Sequence, residues 1–112
     1  MLKVTIATEG EKLSLSLTGH AGYAEQGKDI VCASASILVS TLAHNVALLD
    51  RFNAFKEPAV VRLESGDTEI TCVVTDSSEH IRRDFYFAGI GLALLAGNYP
   101  QCVDIYTDAE AE

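Results

Sequence analysis

The sequence has no apolar run as long as a membrane span, no basic tract and no closely spaced cysteine pair, and each absence removes a class of function. Its longest apolar stretches are cut by His44, Asn45, Gly97 and Asn98, short of the roughly 18 to 20 residues that cross a bilayer, so no membrane association is expected. The start, Met1-Leu2-Lys3-Val4-Thr5-Ile6, alternates like a strand and lacks the basic and apolar regions of a signal peptide, which predicts a cytoplasmic protein. The formal net charge is -8 and no basic cluster exceeds Arg82-Arg83, so phosphate backbones would be repelled and direct nucleic-acid binding is not expected. An acidic surface could attract a basic protein partner or serve solubility only, and charge alone decides little between them. Cys32, Cys72 and Cys102 are odd in number and widely spaced, which fits neither a disulfide framework nor a zinc site of CxxC type. No metal site is expected, since His44 has no companion at ligand spacing and His80 lies in a polar helix start. No cofactor is expected either. Gly89 and Gly91 fall inside a helical segment, where they suit close helix packing or a kink, and no GxGxxG or Walker pattern follows a strand.

What remains is 112 residues at 48% hydrophobic content, enough for one core, and residues 1–112 are expected to form a single domain. Residues 3–7 (KVTIA) and 13–18 (LSLSLT) alternate apolar and polar around Glu9-Gly10-Glu11, the pattern of a hairpin with one buried face. Gly19, Gly22 and Gly27 then break any regular element and predict a loop of about a dozen residues, a length often tied to function. Asp29 can cap a helix whose inner face carries Val31, Ala35, Leu38, Leu42, Val46 and Leu49. After Pro58, residues 59–63 and 70–74 predict a second hairpin around Ser65-Gly66-Asp67. A second helix is expected from Ser77 or Ser78 through Leu95, closed by Gly97-Asn98 and Pro100, then a strand over residues 102–106 and a frayed acidic tail from Asp108. The order ββαββαβ predicts an α+β fold, a mixed α/β sandwich with two helices packed on a mainly antiparallel sheet.

The chemistry concentrates in Gly19-His20-Ala21-Gly22 and Lys28-Asp29-Ile30-Val31-Cys32-Ala33, two reactive side chains bracketing one glycine-rich loop. With Asp29 as N-cap, Cys32 is the third helical residue, where unpaired N–H groups and the helix dipole favour a thiolate. His20 could take or give the proton, and N–H groups at the helix start are natural oxyanion donors. On spacing alone the bland readings stay open: Cys32 as a small core side chain and His20 as a strand-end residue bonded to backbone. Ser36, one turn after Cys32, shares its helix face and could orient His20 or a substrate, or simply pack. Ser34 and Ser40 fit backbone bonding within the helix. Cys72 shares a strand face with Ile70 and Val74 and reads as core, and Cys102 as structural.

The segment GHAGYAEQGKDIVCASAS, extended through the second helix to Gly97-Asn98-Tyr99-Pro100, resembles the ribosomal-processing cysteine protease Prp family, also called YsxB-like. The resemblance implies a catalytic dyad of His20 and Cys32, with Asp29 beside it. It implies a cysteine endopeptidase that removes the N-terminal extension of large-subunit ribosomal protein twenty-seven, after a phenylalanine-rich sequence, as a step in ribosome maturation. It also implies a homodimer, and a mobile cover between histidine and cysteine, here carrying Gly19, Ala21, Gly22, Tyr23 and Gly27. Residues 21–28 hold few large side chains, which suits a loop that is mobile when empty. Ser34 departs from the alanine associated with that family position and leaves the dyad intact. The competing expectation is a noncatalytic ribosome-assembly factor that binds the same basic ribosomal protein through its acidic surface.

Overall fold

The computed structural model describes residues 1–108. The first hairpin forms from β1, Leu2–Glu9, and β2, Lys12–Thr18, which pair with Glu9 opposite Lys12. Their alternation is realised as written: Leu2, Val4, Ile6, Leu13, Leu15 and Leu17 are buried, while Lys3, Thr5, Lys12 and Thr18 are exposed. α1 runs Ile30–Asp50, the second hairpin is β3, Val60–Glu64, with β4, Asp67–Val73, and α2, Ile81–Asn98, leads to β5, Val103–Thr107. The strands form one sheet in the order β3-β4-β2-β1-β5, antiparallel except where β5 lies parallel to β1. This is the expected α+β sandwich. One sheet face carries the apolar set and both helices, and the other carries Thr5, Ser14, Ser16, Thr71 and their neighbours.

Against the sheet α1 buries Val31, Ala35, Val39, Leu42, Ala43 and Val46. Leu38 and Leu49, expected on that inner face, are only partly buried at its edge. Leu38 instead meets α2: a Cβ on Gly91 would come within 2.9 Å of its Cδ2, so the glycine permits the close approach of the two helices. The Asn45 amide donates to Asp84 across the same seam at 2.6 Å, and these pairings run the helices antiparallel. By length and mean hydropathy, 1.6 over 18 residues, α1 is long and apolar enough to cross a membrane, contrary to the expectation that His44 and Asn45 interrupt it. Here its apolar stripe is used to build the core.

Several boundaries differ from expectation: β4 already begins at Asp67, and α2 runs on through Gly97 and Asn98. Ser78 does not cap the second helix; it is buried in a short 3-10 turn, Asp76–Ser78, where its Oγ accepts the Thr75 N–H at 2.9 Å. With that oxygen occupied, α2 starts at Ile81, preceded by His80, whose side chain makes no capping bond. Cys102 lies in the turn before β5, donating its N–H to Tyr99 O at 2.9 Å. At the end, Asp108 is tied down rather than frayed, since its Oδ1 accepts from Thr8 N–H and its own N–H donates to Ile6 O. The rest of the expected tail, residues 109–112, lies outside the described residues.

Candidate active site

At the sheet end where β2 finishes and β3 turns into β4, the first half of α1 stands over an open pocket of about 530 Å³. Leu2, Leu17, Val39 and Leu63 give it apolar walls, and His20, Asp29, Cys32 and Ser36 bring functional groups to it. The loop between β2 and α1 contributes Gly19, Gly22 and Gly27 to the lining, whereas Ala21 is buried beneath it. Tyr23 points elsewhere, its ring edge-on to Tyr99 with centroids 5.5 Å apart, and so anchors the loop.

Cys32 is the third residue of α1, half-buried, and its Sγ accepts the backbone N–H of Ala21 at 3.2 Å. That bond closes the loop onto the thiol. Asp29 organises both ends of this contact. Its Oδ1 accepts from Val31 and Cys32 N–H at 3.0 and 2.9 Å, and its Oδ2 from Tyr23 and Ala24 N–H at 2.9 and 3.3 Å. The Cys32 N–H foremost, with the other three, holds the carboxyl below its ordinary 3.8 against partial desolvation. The same bonds narrow the oxyanion expectation to fewer donors. Val31 and Cys32 N–H are taken by the cap and Ala33 N–H donates to Asp29 O, which leaves Ile30 N–H as the helix-start donor with no acceptor among the described residues.

Gly19 precedes His20 at φ +89, and a Cβ there would overlap Met1 O, so only glycine lets this turn cross the start of β1. Its N–H donates to Gly66 O at 2.9 Å, joining the histidine segment to the β3–β4 turn. The His20 imidazole is exposed, lies against that turn and makes no hydrogen bond among the described residues. Ser36 lines the pocket one turn beyond Cys32, while Ser34 is exposed and bonds Ile30 O. Cys72 is in the core, where burial pushes its thiol up to about 11. Cys102 packs partly against that core. Sequence reasoning missed Leu63, Ser65, Gly66 and Thr68, which reach the pocket from the second hairpin. Local pattern marks them only as strand and turn.

A thiol in the first turn of a helix, its loop folded back onto it and an imidazole lining the same pocket are the makings of a protein that works through a cysteine nucleophile. The family model for cysteine protease Prp matches residues 1–104, and the chain belongs to that family. A stretch of 54 residues is 39% identical to the ribosomal processing cysteine protease Prp of Bacillus subtilis (strain 168), covering 46% of this chain and 48% of that protein, so the match spans about half the length of that relative. Among solved structures, the essential ribosomal processing protease Prp from S. aureus with a covalently linked product peptide superposes with TM-score 0.73 at 20% identity, over 96% of this chain and 100% of that one. The same protease with a substrate peptide gives 0.68 at 19% identity and the same coverage. SMU.848 from Streptococcus mutans gives 0.65 at 29% identity, over 96% and 93%.

Proposed function

We propose that this protein is an endopeptidase in which Cys32 is the nucleophile and His20 the general base and acid, and that it removes the N-terminal extension of large-subunit ribosomal protein twenty-seven in the cytoplasm. The observation that carries the reading is the Cys32 thiol at the third position of α1, receiving Ala21 N–H inside a pocket that His20 also lines. The Cys32 thiolate attacks the scissile carbonyl, forming a carbon–sulfur bond as the peptide C–N bond breaks, and the His20 imidazolium gives its proton to the leaving amine. His20 then takes a proton from water, which attacks the thioester and frees the thiol. Val31, Cys32 and Ala33 N–H are occupied and Ile30 does not line the pocket, so the oxyanion falls to the loop: Gly22 lines the pocket and its N–H has no partner among the described residues. The apolar walls from Leu2, Leu17, Val39 and Leu63 suit a large apolar side chain next to the cut, and the net charge of -8 suits a basic ribosomal protein.

We propose in addition that the active form is a homodimer. The surfaces of the helices turned from the sheet expose Ile37 and Leu48 on α1 and Phe87, Ile90 and Leu94 on α2, with Phe87 75% exposed. Residues 87, 90 and 94 follow helical spacing, so the exposure is one stripe and not scattered positions.

The deciding experiment incubates the purified protein with a peptide bearing the ribosomal extension and locates any cut by mass spectrometry. A single internal cut by the unmodified protein and none by Cys32→Ala or Cys32→Ser is the expected result. Cutting by either variant, with contaminating protease excluded, removes Cys32 as nucleophile. Binding without cleavage by the unmodified protein replaces the enzyme with a noncatalytic ribosome-assembly factor.

A further inference from the structure

His20 has no hydrogen-bonding partner among the described residues to aim its ring, although a general base is ordinarily oriented by a third group. What the ring does touch is the β3–β4 turn. Gly66 stands there at φ +72, and a Cβ built on it would lie 2.8 Å from His20 Nε2 and 3.1 Å from Cε1. The first distance is shorter than a Cβ tolerates and the second is tight enough to push the neighbour by a few tenths of an ångström, so the imidazole occupies the space that the missing side chain leaves. The backbone beneath is fixed to the same turn by the Gly19 N–H bond to Gly66 O at 2.9 Å. We propose that Gly66 is a positioning residue for His20: its bare Cα is the seat that sets the imidazole within the pocket, in place of an orienting hydrogen bond. The proposal rests on the reading of His20 as the base.

A side chain at Gly66 would press on the end of a side chain and meet backbone, Gly19 O at 3.5 Å, only at ordinary contact distance, so the ring should move while the fold stays. The fold itself supplies the control. Gly10 occupies the corresponding turn of the first hairpin at φ +62, with nothing within 4 Å of a built Cβ. Asparagine adopts positive φ more readily than other residues with a side chain, so Gly66→Asn and Gly10→Asn share a small backbone cost and differ in what the new Cβ meets.

Both variants should keep thermal midpoints near that of the unmodified protein. For cleavage of the extension peptide, Gly66→Asn should lower kcat about tenfold or more with little change in KM, a loss of the size expected when a catalytic group is displaced by a fraction of an ångström to an ångström. It should also displace the acid limb of the kcat/KM profile against pH, which a purely structural role would leave in place. Gly10→Asn should change neither. A kcat and pH profile at Gly66→Asn equal to those of the unmodified protein would overturn the proposal. Independently of any variant, the unmodified protein should give a nuclear Overhauser effect between the Gly66 α-protons and the His20 ring proton on Cε1, and its absence would overturn the seat even if Gly66→Asn did not fold. Failure of the unmodified protein to cleave would count against the proposed function, whereas normal cleavage by Gly66→Asn counts only against the seat.

Discussion

At the scale of single residues, Asp29 ties helix to loop through one carboxylate, each oxygen accepting two N–H groups. An asparagine has one acceptor oxygen, so it can keep the helix cap or the loop tether but not both. Asp29→Asn should therefore leave α1 folded and lower kcat/KM by about tenfold, since a loosened loop misplaces Ala21 and His20 around Cys32. The Asp29 carboxyl lies below its ordinary 3.8 in the folded protein, so its ionised form is favoured there. Its contribution to stability is then complete above 3.8 and is lost as the pH falls through the folded value. Thermal midpoints followed from pH 6 down to pH 2 should fall more steeply below pH 4 for the unmodified protein than for Asp29→Asn. Equal slopes would show that the tether carries no such weight. The cysteines divide by surroundings. Cys32 accepts an N–H bond at the pocket, whereas Cys72 is buried with its thiol raised to about 11. Iodoacetamide at neutral pH should alkylate Cys32 first and leave Cys72 intact in the folded protein, as peptide mapping would reveal. Modification of Cys72 ahead of Cys32 would contradict this assignment.

At the scale of elements, the loop between β2 and α1 is held at its ends and open in its middle. Ala21 is buried, and Tyr23 and Ala24 N–H bond Asp29, whereas residues 25–27 are exposed and, among the described residues, make no polar contact beyond those of Lys28 to Glu25. Amide exchange in the empty Cys32→Ala protein should accordingly be fastest at residues 25–27 and slower at 23 and 24. If the loop closes over substrate, an uncleaved extension peptide should slow exchange at 25–27. Unchanged exchange there, with binding verified separately, would end the idea of a cover and leave Cys32 and His20 untouched. The first hairpin was readable from alternation, because period-two patterning places one whole face in the core, and the second from its turn residues, since its edge strand β3 buries no residue fully. The start of α2 was not, because Ser77 and Ser78 carry a capping residue's chemistry. The oxygen of Ser78 is used inside the preceding turn, a choice made by Thr75 and its surroundings.

At the scale of the whole molecule, the stripe of Phe87, Ile90 and Leu94 leaves apolar side chains exposed along α2. Double substitution Phe87→Glu with Leu94→Glu touches no core residue and should convert a dimer into a monomer in light scattering at micromolar concentration, with little change in thermal stability of the subunit. A monomer mass for the unmodified protein would remove the proposed dimer outright. Local pattern also explains how much of the site could be read beforehand. GHAGYAEQGKDIVCA placed a histidine, a capping aspartate and a cysteine close along the chain, and a short loop brings such residues into one pocket at small entropic cost. The strand pattern and the order ββαββαβ likewise defined the sandwich, because burial periodicity is a property of neighbouring residues. Only the tertiary structure decided which distant groups complete the pocket. Leu2 and Leu17 enter from the first hairpin and Leu63, Gly66 and Thr68 from the second, because β4 pairs with β2 and sets the β3–β4 turn beside His20. That adjacency comes from long-range strand pairing, and no periodicity within either segment encodes it.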